Sequence, residues 1–261
     1  MNPRIRPNKV GFLCLGALSL WAASSRAQDR FEIQVYDSQT APPLSPGMEV
    51  HTNYSAQGTL QQTSEGERPT NHVARITFEP HLGLNAFSEL GSYFQTALQP
   101  SGAYDFAGVK LRFKMRYLHK LWDLVGLAAN FEISWVPPGY EANKWGSEIR
   151  PIADIHWRRL YASINPIFSI DFKGKDAGLP QLQPAAKIGV DTFPGLQIGA
   201  EYYAGLGPIT APLPGTEQSH TLFGAIDFTS SYIDLNFGVG YGFAAADRWV
   251  VKSILGIHPK P

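Results

Sequence analysis

The sequence predicts an all-β fold: a single up-and-down antiparallel transmembrane β-barrel of about 12 strands. Three observations predict it. Apolar and polar residues alternate with period two in segment after segment, the segments run to about ten residues or more, and the connections between them alternate between long and short. A soluble strand is typically about 5 to 6 residues, whereas a tilted strand needs about 9 to 11 to cross a bilayer.

Composition narrows the alternatives. The chain has 261 residues, 44% hydrophobic and 17% charged, with 22 basic and 22 acidic side chains. That is too apolar and too neutral for a disordered chain, and it lacks the basic excess of a nucleic-acid binder. The one cysteine, Cys14, can build neither a disulfide framework nor a thiolate metal site.

The elements follow in order. Arg4, Arg6 and Lys9 precede an uncharged run from Gly11 to Ala23, and Ser25-Arg26-Ala27 follows with small residues at its first and third places. This is the order of a secretory signal, with an apolar run well short of the roughly 20 residues of a spanning helix. Residues 1–27 are therefore expected to leave as a signal peptide. Removing Arg4, Arg6, Lys9 and Arg26 from the 22 basic residues leaves 18 against 22 acidic, a net charge of −4, and no cysteine. Residues 28–46, with Ala41-Pro42-Pro43 and Ser45-Pro46-Gly47, read as an N-terminal segment, either a periplasmic tether or a lumenal plug. Residues 47–261 read as the barrel.

Within the barrel the predicted strands are 48–57, 72–84, 88–98, 105–117, 123–135, 147–157, 160–171, 184–191, 196–206, 220–229, 231–243 and 248–257. The fourth and fifth are the clearest. Ala107, Val109, Leu111, Phe113, Met115 and Tyr117 interleave with Gly108, Lys110, Arg112, Lys114 and Arg116; Val125 to Trp135 repeats the pattern around Asn130 and Glu132. Long loops are expected at 58–71, 136–146, 172–183 and 207–219, and short links at 85–87, 158–159, 192–195 and 230. One rim would carry the loops and the other the turns. Pro80, Pro151 and Pro166 interrupt predicted strands at apolar parity, and because proline removes a ladder donor they are read as bulges or as breaks in their strands.

Alternation alone also fits a soluble lipocalin-like barrel with its apolar face inside. The aromatic residues separate the two. Tyr54, Trp135, Tyr202, Phe243 and Trp249 fall at strand ends beside the long loops, and Tyr117, Trp157 and Phe228 at ends beside the turns, as two interfacial belts would. The polar parity gathers Glu79, Lys110, Arg112, Lys114, Glu132, Arg150 and Glu201, mixed in sign as in a wet lumen. These seven are the candidate lumen and solute-contact residues.

The chain resembles Gram-negative outer-membrane β-barrels, and more narrowly the meta-pathway phenol-degradation barrel family. The segments that carry this are FEIQVYDSQTAPPLSPGMEVHTNY, ITFEPHLGL, SELGSYFQTAL, DFAGVKLRFKMR, EIRPI, INPIF, GAEYYAGLGP and DLNFGVGYGF, spread over most of residues 31–243. The resemblance implies an outer-membrane channel or uptake barrel for small solutes, with small hydrophobic or aromatic compounds as one cargo. Its expected partners are outer-membrane lipid, a small-molecule solute and the barrel assembly machinery. The stretch from Leu255 to Pro261 lacks the terminal aromatic common in such barrels.

No catalytic residue, cofactor or metal is expected. There is no G-x-S-x-G elbow, and Ser163 near His156 has no visible orienting group beyond Asp154 or Asn165. His51 and His81, near Glu49 and Glu79, have no metal-site spacing and are expected to hydrogen-bond within the lumen. Gly238, Gly240 and Gly242 leave room in a narrow interior rather than forming a phosphate loop. The rival readings are a lipid-modifying outer-membrane hydrolase and a soluble periplasmic β-barrel binding an apolar ligand.

Overall fold

Twelve strands follow one another around a closed barrel in the computed structural model, which describes residues 29–62, 66–122, 124–141, 143–174 and 176–258. The predicted signal peptide lies outside them. Strands β1 (Pro46–Gln57), β2 (Ala74–Asn85), β3 (Ser88–Leu98), β4 (Tyr104–Arg116), β5 (Val125–Trp135) and β6 (Trp145–Trp157) are continuous. Three more are in two pieces: β7 (Leu160–Asn165 and Phe168–Asp171), β8 (Gln181–Leu182 and Ala185–Phe193) and β9 (Leu196–Gly205 and Gly207–Pro208). The last are β10 (Ser219–Thr229), β11 (Ile233–Ala244) and β12 (Trp249–Ile257). Each pairs antiparallel with its sequence neighbours, and β12 returns to β1 from Met48↔Ile257 to Gln57↔Trp249, so the wall has no free edge. Among the described residues there is no helix.

The wall has its apolar face outward. Leu111, Ile133, Ile164 and Ile188 are all more than half exposed, and rings of Tyr117, Trp122, Trp157 and Phe193 project beside the turns. The charged parity is inward and buried. A lipocalin-like barrel would reverse this arrangement. The closed ladder pairs the wall's backbone groups strand to strand, and the outer face is built for hydrocarbon.

One local expectation fails and another holds in only one of its two forms, each for a physical reason. Ala107, expected outward with Val109, is fully buried among Phe31, Val73 and Ala97, while Phe106 is half exposed. A bulge resets the parity: Gln95 faces Gly108 and Thr96 faces Phe106, leaving Ala107 unopposed. Gly108 takes φ 141° there, a conformation that favours glycine.

The prolines, in contrast, make no bulges. From Phe78↔Phe94 to His81↔Gly91 both strands advance three residues across Pro80, and from Ile149↔Phe168 to Ala153↔Ile164 both advance four. Pro151 therefore lies opposite Pro166, and the same counting between Ala185↔Asn165 and Phe168↔Leu182 sets Pro166 opposite Pro184. The ladder lapses where donors are missing, and β7 and β8 break there, but the register holds. Glu79, Arg150 and Asn165 still point inward and are buried.

Candidate functional site: a lumenal strap on an ion-pair lattice

Residues 29–45 run through the lumen as an extended strap from the long-loop rim to the turn rim. In Phe31-Glu32-Ile33-Gln34-Val35-Tyr36 the sequence alternates like a strand, but no strand pairs with it. Its two faces meet different walls. Ile33 and Val35 pack with Ile167, Ala185, Tyr203, Phe223 and Val250, an apolar cluster inside the barrel. Glu32, Gln34 and Tyr36 face charge.

Without a ladder, the strap's backbone is held by wall side chains. Thr77 Oγ1 donates to the Phe31 carbonyl at 3.1 Å and Lys252 Nζ to the Ile33 carbonyl at 2.9 Å. Tyr36 N donates to Asn165 Oδ1 at 2.7 Å, and its carbonyl accepts from Ser163 Oγ at 2.6 Å and Asn165 Nδ2 at 3.0 Å. Nearer the turn rim, Ser38 N donates to Asp154 Oδ2 at 2.5 Å and Ala41 N to Glu89 Oε2 at 2.6 Å. Buried backbone groups must be paired, and this pairing ties the strap to one position.

The seven sequence-predicted residues all lie in this interior, and most meet the strap or one another. Lys110 binds Asp29 and reaches Glu132 at 3.3 Å and Glu32 at 3.6 Å. Arg112 NH2 lies 2.7 Å from Glu79 Oε1 and 2.6 Å from Glu89 Oε1. Lys114 pairs with Asp37 at 3.6 Å. Arg150 NH2 is 2.8 Å from Glu148 and 3.3 Å from Glu32. Glu201 belongs to a separate group: it binds Lys252 and accepts from Tyr203 at 2.6 Å. Arg112 and Glu132 are cross-strand partners by register, yet the arginine turns to β2 and β3 instead.

Sequence reasoning missed the strap's own Asp29, Glu32 and Tyr36. The Tyr36 hydroxyl donates to Glu32 Oε1 at 2.9 Å and lies 2.6 Å from the Tyr93 hydroxyl. Around its ring stand Arg150 at 4.6 Å, Lys114 at 5.1 Å and Arg112 at 5.4 Å from the centroid. The period-two stretch 31–36 is the signal that could have found them. Electrostatics differ along the strap. Burial raises the Glu32 carboxyl above its usual 4.5, with Arg150 and Lys110 offsetting part of the rise. Burial also acts on Asp29, but Lys110 outweighs it and holds that carboxyl below 3.8.

No family model and no curated protein matches the sequence. In structure it is similar to an outer membrane channel from Pseudomonas putida F1, with TM-score 0.56 and 10% identity over 87% of this chain and 100% of that one. It is likewise similar to KdgM porin, with TM-score 0.53 and 8% identity over 81% and 98%. The closed barrel fold is shared with these outer-membrane proteins. At such identities the likeness concerns the fold alone.

The strap divides the lumen. Toward the turn rim a cavity of about 1060 Å³ opens beside Gln34, Tyr36, Lys187, Glu201 and Asp227; toward the long loops a smaller one of about 80 Å³ lies beside Asp29, Phe31, Arg75 and Tyr140. Gly238, Gly240 and Gly242 are buried, as expected for room-making positions; a Cβ on Gly240 would fall 2.5 Å from the Phe223 ring. Ser163 and His156 do not form a nucleophile pair. The serine is bonded to the strap, and His156 Nε2 lies 2.7 Å from Asp191 Oδ2. His51 Nε2 hydrogen-bonds Glu79 Oε2 at 2.9 Å, whereas His81 lies beside His258 with ring centroids 6.5 Å apart. Glu49, His51 and Glu79 bring ligand atoms within 4.8 Å of one another, but Arg112 already pairs with Glu79.

Proposed function

We propose that this protein is an outer-membrane channel for small solutes, closed at rest by its own N-terminal strap. The single observation that carries the reading is the way the strap is held. Hydrogen bonds and ion pairs to lumenal side chains can exchange with water, whereas the wall's backbone ladder has no such replacement in hydrocarbon, so the occluding element can shift without opening the barrel. The outward apolar wall supports residence in the outer membrane. The order of residues 1–27 supports export through a cleaved signal, with insertion by the barrel assembly machinery.

The resemblance to phenol-degradation barrels makes small hydrophobic or aromatic compounds the favoured cargo, moved down their concentration gradient. The apolar cluster around Ile33 and Phe223 supports this, since it gives the lumen an apolar track beside its charged one. Reconstitution tests the reading. The mature protein should remain with outer membranes after carbonate washing, shift in gel mobility on boiling, and conduct ions in planar bilayers weakly with the strap in place and severalfold more when residues 29–45 are deleted. Recovery in the soluble periplasm, or a variant lacking residues 29–45 that leaves bilayers silent, would overturn it.

A further inference from the structure

Among the described residues three guanidinium groups are deeply buried in the lumen: Arg75, Arg112 and Arg150, at 5%, 3% and 1% exposure. Two are neutralised directly, Arg112 by Glu79 and Glu89 and Arg150 by Glu148 and Glu32. Arg75 is not. Among the described residues no carboxylate oxygen lies within 4.0 Å of it. Its NH1 donates to Ser55 Oγ at 2.9 Å, and that hydroxyl donates to Asp247 Oδ2 at 2.7 Å. The other Asp247 oxygen is taken by Thr70 Oγ1 at 2.6 Å. The aspartate thus reaches Arg75 only through a hydroxyl.

Arg75 lines the small cavity at the long-loop end. Its guanidinium carbon stands 5.7 Å from the centre of the Phe31 ring, and Phe31 meets Tyr140 edge-on at 5.7 Å. The other charges of that cavity are engaged: Arg30 with Glu67 at 3.4 Å, Arg68 with Asp105 at 2.6 Å, Lys110 with Asp29, and Glu148 with Arg150. Glu141 has a partner as well. What remains is one cationic fork beside two aromatic rings. A buried unpaired charge is costly, and a planar fork matches a carboxylate.

We propose that Arg75 is a binding group for a small organic monocarboxylate with an apolar or aromatic body, which sets its carboxylate on the guanidinium and its body against Phe31 and Tyr140. A single carboxylate gives Arg75 the direct partner that Asp247, held behind Ser55 Oγ, does not. A dianion would face Asp29 and Glu67 with a charge to spare. The inference deepens the channel reading and rests on it for treating the ligand as a solute in transit.

Calorimetric titration of the detergent-purified mature protein with benzoate tests it. Benzoate should bind saturably and benzamide, the same body without the charge, about tenfold more weakly or less well still. Arg75→Gln should lose a similar factor, Arg75→Lys should fall between, and Phe31→Leu should weaken benzoate while leaving acetate unchanged. Benzoate and benzamide binding alike, Arg75→Gln binding like the parent, or inorganic phosphate displacing benzoate at equal concentration would overturn the proposal. Heat-dependent gel mobility identifies variants that fail to fold, and the benzoate–benzamide comparison needs no variant. Bilayer conductance without benzoate binding would remove this inference and leave the channel standing. Benzoate binding to the parent, with a strap-deleted variant that conducts nothing, would do the reverse.

Discussion

The hydroxyl of Tyr36 on the strap lies 2.6 Å from the hydroxyl of Tyr93 on β3, and both side chains are buried. This contact joins the mobile candidate to the fixed wall at the point where three cations surround the Tyr36 ring. Tyr36→Phe keeps the ring and leaves Tyr93 with a lost partner, a cost of about 1 to 3 kcal/mol. Tyr36→Ala removes the obstruction itself. Single-channel conductance in planar bilayers should rise severalfold for Tyr36→Ala and far less for Tyr36→Phe. Equal conductance in the parent and in Tyr36→Ala would mean that the constriction lies elsewhere.

Arg112 and Lys114 stand two residues apart on β4, yet their loss should differ in scale. Arg112→Ala leaves the carboxylates of Glu79 and Glu89 buried without their cation, which costs about 3 to 5 kcal/mol. Lys114→Ala gives up one 3.6 Å pair with Asp37, whose side chain is half exposed, a contribution of about 1 kcal/mol or less. Stepwise heating before electrophoresis should show Arg112→Ala unfolding at a clearly lower temperature and Lys114→Ala close to the parent. Ion selectivity should also move toward cations in Arg112→Ala. Arg112→Lys restores the charge but not the two-carboxylate fork, so its recovery should be partial.

The wall was legible because it separates two media. Every inward position must tolerate water and charge and every outward one hydrocarbon, so period-two parity placed Glu79, Lys110 and Arg150 inside and gave strand limits within about three residues. Parity fails where its period is broken. Ala107 was misread because a bulge beside Gly108 adds one residue; of the two readings of the prolines, the bulge fails because a missing donor need not shift a register, and the break is met at Pro166. The strap was legible only as an alternative, since its backbone bonds go to Asn165, Asp154 and Glu89. Which distant side chain will catch a backbone group is a property of the closed barrel, and no local pattern records it.

Opposite shifts on the strap predict a pH response. The Glu32 carboxyl is raised when the strap is docked and returns toward 4.5 when it leaves, so protonation favours docking. This contribution is fully present below 4.5 and is lost as pH rises through the docked value. Asp29 runs the other way: its docked value is below 3.8, so its contribution holds above 3.8 and is lost only under stronger acid. Conductance should therefore fall as pH is lowered from 7 toward 4.5. Glu32→Gln, fixed in the neutral form, should show low conductance throughout that interval. A Glu32→Gln channel that still closes on acidification would place the titrating group elsewhere.

The lower end of the strap rests against wall glycines. A Cβ on Gly83 would fall 2.0 Å from the Pro42 carbonyl oxygen, backbone that no side-chain rotation can move aside. At Gly224 a Cβ would meet nothing within 4 Å. Gly83 also donates its N–H to the Ser45 carbonyl at 3.1 Å and accepts from Leu44 N at 2.7 Å, so displacement there would strip two hydrogen bonds from the strap's exit. Gly83→Ala should loosen this end, raising conductance and exposing the stretch from Asp37 to Ser45 to added protease in intact proteoliposomes. Gly224→Ala should match the parent in both measurements. If Gly83→Ala leaves the segment protected, the strap is anchored by its upper contacts with Asn165 and Lys252 alone.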